Sequence, residues 1–92
     1  MTSNRYVITV IGTDRVGIVA SITKVMADFN VNIVDISQTT MSGLFTMIML
    51  AENLDEDFDL LSFQKAMDEE GKNLGVEVKV QNEDVFRYMH RI

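Results

Sequence analysis

The chain has 92 residues, fourteen acids against eight bases for a formal net charge of -6, and neither cysteine nor proline. Such a length buries about 60% of the unfolded surface, so one domain over residues 1–92 is expected to fold with little margin. Missing thiols exclude disulfide scaffolding, thiolate metal sites and cysteine nucleophiles, and bases scattered from Arg5 to Arg91 in an acidic chain argue against direct nucleic-acid binding.

Arg5 to Ile11 is rich in β-branched residues and stops at Gly12, which predicts a first strand. From Ile18 the apolar positions Ile18, Val19, Ile22, Val25, Met26 and Phe29 recur at helical spacing, predicting a helix that begins near Asp14 to Val16 and ends at Asn30. Asn32 to Met41 reads as a second strand, Ser42-Gly43 as a tight turn, and Leu44 to Ala51 as a third strand in a hairpin with it. Between Glu52 and Glu70 eight acids face one base, Lys65, as expected of a solvated loop and helix face. Leu60, Phe63, Met67 and Leu74 predict a second helix, capped by Asp57 or Asp59 and ended by Gly75, with Gly71 a weak point in its last turn. Val76, Val78 and Val80 alternate with polar residues as a half-buried fourth strand, and EDVFRYMHRI suits a short amphipathic helix with Val85, Phe86, Met89 and Ile92 on one side.

The order is βαββαβ with a helical tail over 82–92, the α+β ferredoxin-like plan. Strands one and three are apolar on both faces and belong in the middle, which gives an antiparallel sheet of order 4-1-3-2 with two helices on one face. The other face stays partly apolar, so either the C-terminal helix or a second protomer is expected to cover it. A homodimer or larger homo-oligomer is the expectation. No apolar run reaches the roughly 18 residues of a membrane span, and MTSNRYVITV lacks the pattern of a signal peptide. No membrane association and a cytoplasmic location follow.

VIGTDRVGIVA joins the first strand to the first helix. Its Gly12 to Gly17 spacing imitates a phosphate-binding loop, but Ile18 and Val19 stand where Lys and Ser/Thr are needed, and a dinucleotide fingerprint is equally lacking. What remains is a helix start whose N–H groups and dipole favour a carboxylate. Asp14 either caps those groups itself or receives a ligand's ammonium. Gly17 either packs closely on the strand or admits a ligand to the helix end. A free amino acid carries both charges, and Asn32, at the start of strand two, can approach this loop from a neighbouring copy.

The run GTDRVGIVASITKVMADFNVNIVDISQTT resembles the ACT domain, a small βαββαβ module that senses amino acids or related small ligands. The turn Gly-x-Asp-x-x-Gly-Ile-Val-Ala and the later Val-Asn-Ile-x-Asp-Ile-x-Gln carry the likeness together, and the ending VQNEDVFRYMHRI is similar to that of stand-alone members of unassigned role. The resemblance implies a ligand wedged between two domains. Gly12, Thr13, Asp14, Arg15, Val16 and Gly17 of one copy, with Val31, Asn32 and Ile33 of its neighbour, would hold it. Some serine-binding members have histidine where this chain has Gly12 and asparagine where it has Asp14, a departure that bears on serine specificity. Related domains in a folate deformylase and in a repressor of glycine cleavage often have proline at the position of Val16, which alters stiffness more than chemistry.

Catalysis has little to work with: His90 is the sole histidine, in a predicted surface helix, and no G-x-S-x-G elbow occurs. Asp55, Asp57 and Asp59 imitate a calcium loop, but Leu60 and Ala66 stand where Gly and Glu are needed. Neither a metal nor a cofactor is expected. Met41, Met47 and Met49 around the hairpin serve either as core or as an adaptable surface. The sequence therefore predicts a non-enzymatic regulatory module that binds an amino acid-like ligand and acts on a protein partner in trans. The alternative is a protein–protein interaction module without a small ligand.

Overall fold

The computed structural model describes residues 4–13 and 15–89, and its elements follow the predicted order. They are β1 (Arg5–Thr13), α1 (Ile18–Asp28), β2 (Val31–Met41), β3 (Leu44–Asn53), α2 (Leu60–Leu74), β4 (Val76–Asn82) and α3 (Glu83–Met89). The sheet order is β2-β3-β1-β4 with every neighbouring pair antiparallel, which is the predicted 4-1-3-2 arrangement. Its slab shape, 41 × 34 × 19 Å, reflects two main layers, a sheet and the helices α1 and α2 on one of its faces.

Alternation decides which side chains face the helices. Tyr6, Ile8 and Val10 of β1, Phe45, Met47, Met49 and Ala51 of β3, and Val76, Val78 and Val80 of β4 form the core with Ile18, Ile22 and Met26 of α1 and Phe63 and Met67 of α2. Met47 and Met49 are thus core filling, while Met41 is exposed. An aromatic chain runs through this layer, Tyr6 to Phe58 to Phe63 to Phe29, with successive ring centroids 5.4, 5.5 and 5.3 Å apart. Such spacings favour tilted and edge contacts.

The local signals act as their chemistry requires. Asn30 (φ 57°) leaves α1 in the left-handed region, and Ser42 and Gly43 (φ 52° and 83°) make the turn of the β2–β3 hairpin. Of the two candidate caps for α2, Asp59 is the one used: its carboxylate accepts from the Leu61 and Ser62 amides and from the Ser62 hydroxyl at 3.1, 3.4 and 2.6 Å. Gly71 stays inside α2 because the helix crosses β4 closely; a Cβ there would lie 2.8 Å from Val78 Cγ2 and 2.9 Å from the Val76 carbonyl oxygen.

Two predicted boundaries are corrected. β1 continues through Gly12 and Thr13, since both still pair with β3 and Gly12 also pairs with Val76. α1 begins at Ile18 rather than near Asp14 to Val16, because Gly17 (φ 94°) is left-handed and cannot continue a right-handed helix backward. A third correction concerns α3, where Val85 faces solvent instead of the sheet and Phe86 is half-buried. The side chain of Met89 and residue Ile92, placed on the same apolar side from sequence, lie outside the described residues.

Candidate functional site

The β1–α1 loop is fastened to the junction of α2 and β4. Gly12 sits against Val76 so tightly that a Cβ would be 2.7 Å from Val76 Cγ1 and 3.0 Å from its Cα. Further along, the Arg15 guanidinium Nη1 donates to the Leu74 carbonyl at 3.0 Å. Leu74 is the last residue of α2 and Gly75 (φ 74°) is its C-cap, so the cation meets the negative end of that helix dipole. Sequence reading set Arg15 beside a ligand and missed this bond. Its partners are 59 residues apart in the chain, and the one available signal was a glycine cap at the end of α2.

Past Arg15 the loop opens. Val16 is fully exposed, and among the described residues nothing lies within 4 Å of the Cβ position of Gly17, so Gly17 is there for its conformation and not for close packing on the strand. Gly17 is the N-cap of α1 and has no side chain with which to accept from the first-turn amides, and that turn contains no acid. The first backbone bond, Ser21 N–H to the Gly17 carbonyl at 2.9 Å, leaves the amides of Ile18, Val19 and Ala20 without a backbone acceptor among the described residues. Asp14, and with it the choice between self-capping and binding an ammonium, lies outside the described residues. His90 does too.

The second group of predicted site residues is elsewhere. Thr13 pairs with Leu44 at one end of β3 and Val31 pairs with Asn53 at the other, nine residues away, or about 30 Å. Val31 is part of the core, whereas Asn32 and Ile33 are exposed. Within one chain the two groups do not meet.

Sequence comparison agrees with this fold: a family model described as the ACT domain covers residues 4–81. The chain belongs to the ACT domain family. ACT domains are generally regulatory modules for small ligands. This one is similar to the UPF0237 protein of Methanosarcina acetivorans, 76% identical over the full length of both chains. Among solved structures, an ACT domain protein from Streptococcus pneumoniae superposes with a TM-score of 0.79 at 31% identity, covering 91% of this chain and 94% of that one. A formyltetrahydrofolate deformylase from Pseudomonas putida matches with the same TM-score at 15% identity, over 87% of this chain and 29% of that one, a likeness of fold alone. In this ACT domain, among the described residues, no group of three or more His, Asp or Glu is arranged to hold a metal ion and no helix is long and apolar enough to cross a membrane.

Proposed function

We propose that the protein is a regulatory sensor of a free amino acid or similar small zwitterion, that the ligand lodges where two copies meet, and that its binding alters association with a protein partner in trans. The observation that carries this reading is that Gly17 caps α1 with no side chain to meet the first-turn amides, that this turn holds no acid, and that among the described residues nothing lies within 4 Å of the Gly17 Cβ position. A carboxylate there would accept from backbone amides and gain from the helix dipole. The ammonium would fall to Asp14 or to carbonyl oxygens of Gly12 to Val16.

Membership of a family of small-ligand modules supports the reading, as does the form of β2. Every residue from Asn32 to Met41 is exposed, and the strand carries one charge, Asp35, whereas the opposite edge strand, β4, carries Glu77 and Lys79. Charged edges discourage pairing and long neutral ones invite it. Antiparallel pairing of β2 with the β2 of a second copy would carry Val31, Asn32 and Ile33 of that copy toward the end of β2 at Met41, the sheet end at which Thr13 pairs with Leu44. The two groups that one chain holds apart would then share a cavity.

The test is a thermal-shift panel of the common amino acids at millimolar concentration. One ligand is expected to raise the melting temperature, Asp14→Ala to abolish that rise, and Lys at both Ser37 and Thr39 to abolish it together with the dimer. A melting temperature indifferent to every ligand overturns the proposal.

A further inference from the structure

The loop between β1 and α1 has two fixed ends. Thr13 still pairs with Leu44 at one, and Ile18 is buried in the core at the other. Arg15, Val16 and Gly17, which lie between, are all exposed, so no buried side chain anchors them. Among the described residues, the hydrogen bond from Arg15 Nη1 to the Leu74 carbonyl, 3.0 Å long, is what ties this stretch to an element other than the two it joins.

The far side of that bond is stiff. The Gly75 amide closes α2 on the carbonyls of Gly71 and Lys72, which leaves the Leu74 carbonyl, one of the last four of the helix, to a donor from elsewhere. Lys72, the base in the last turn, pairs with Asp68 at 3.3 Å along the surface of the helix, so Arg15 brings its charge to the terminus itself. The last turn is locked in turn on β4. Gly71 admits the Val76 carbonyl oxygen to 2.9 Å from where a Cβ would stand, and Gly12 of β1 presses on the same Val76 from the other side of its pairing. The end of α2, the start of β4 and the end of β1 thus form one packed block, and Arg15 is the arm by which the exposed loop holds on to it. A guanidinium suits the task, being always charged and offering its donors in fixed directions. Without it, Arg15 to Gly17 would be fixed only through their chain neighbours, and the backbone entropy that the bond suppresses would return.

We propose that Arg15 is a positioning residue that fastens the β1–α1 loop to the C-terminus of α2, so that the order of the loop and the order of the last turn of α2 form one equilibrium. The regulatory half of this inference rests on the function proposed above: a ligand seated at the Gly17 end of α1 would order the loop, and linkage requires it then to steady the end of α2. Occupancy would thereby reach an element that the ligand does not touch.

The first test needs no ligand. Arg15→Met, at an exposed position, keeps the aliphatic stem and removes the donors. It is expected to speed amide hydrogen exchange at Gly75 by about three- to tenfold, as loss of one hydrogen bond implies, and to lower the NMR order parameters of the Val16 and Gly17 amides from about 0.85 toward 0.6. Arg15→Lys, which keeps a cationic donor, should restore part of both. Faster exchange at Gly75 with an unchanged loop would make Arg15 a cap of α2 and nothing more. A looser loop with unchanged exchange at Gly75, or no change in either, would equally overturn the proposal. For the regulatory half the common amino acids are the probes, added singly at millimolar concentration. The one that raises the melting temperature should also slow exchange at Gly75 in the unmodified chain and leave it unslowed in Arg15→Met. A melting temperature that rises while exchange at Gly75 stays the same refutes the coupling and spares the proposed function, whereas the ligand-free changes can hold even if no amino acid binds.

Discussion

Gly12 and Gly17 lie in one loop and are required for different reasons. At Gly12 a methyl group would meet the Cβ, Cγ1 and backbone of Val76, all within 3.0 Å, and backbone cannot move aside cheaply. Gly12→Ala is expected to cost about 1–3 kcal/mol by overpacking, measurable by urea unfolding. At Gly17 a methyl group meets nothing, but the backbone is left-handed, so Gly17→Ala is expected to cost about 1 kcal/mol through φ alone and Gly17→Asn less. Equal costs for the alanine and asparagine variants would refute the conformational account. Asp59 carries a charge effect that pH should reveal. The Ser62 hydroxyl, then the backbone amides of Ser62 and Leu61, hold its carboxyl below the ordinary value of 3.8. A group whose pKa is lowered on folding contributes stability that is complete above its unfolded pKa and disappears as pH falls through the folded one. The destabilisation by Asp59→Ala should therefore be constant from about pH 5 upward and shrink progressively below about pH 4. A loss that does not change with pH would mean that the cap works without its charge.

Elements with a strong period were legible, and their junctions were not. The alternation of β4 and the three-four spacing of both long helices fixed type and order, and apolar composition on two faces put β1 and β3 in the centre. The start of α1 was misread because Asp14 looks like a cap, while the decisive fact, that Gly17 is left-handed, resides in a dihedral angle that composition leaves open. The bond from Arg15 to Leu74 was out of reach for another reason: it joins segments that only the folded sheet brings together. Of the candidate site, the loop between β1 and α1 could be read from its two glycines, but the 30 Å between Thr13 and Val31, about the length of β3, needed the strand register. α3 shows what amphipathic patterning misses, since a seven-residue helix on a half-covered sheet exposes one apolar residue, Val85, beside another it half buries, Phe86. Deleting residues 83–92 would uncover Val7, and burial of one valine is worth roughly 1.5–2 kcal/mol. The truncated chain is expected to fold with its urea midpoint lowered accordingly. An unchanged midpoint would show that something other than α3 shields Val7.

At the scale of the molecule, ligand affinity and assembly must be linked if each site draws on two chains. A ligand that binds only the completed site stabilises the dimer by RT ln(1 + [L]/Kd) per site, about 2.7 kcal/mol at a hundredfold excess over Kd. Linkage is reciprocal, so whatever weakens the dimer weakens the ligand by the same factor. Two measurements follow from this identity. Saturating amino acid should lower the dimer dissociation constant in sedimentation equilibrium, by up to about 10⁴-fold for two sites each at a hundredfold excess. Conversely, apparent ligand affinity in a concentration series should be constant while the chain is dimeric and decline on dilution below the dimer dissociation constant. A site formed wholly within one chain, by the α1 end and its own loop, predicts an affinity that dilution leaves unchanged. The proposed site calls for the first outcome for a physical reason: a carboxylate at the amides of α1 would sit beside Val16 and Gly17, which lie open on the surface, and among the described residues one chain provides no second wall there to exclude water from the pair of charges.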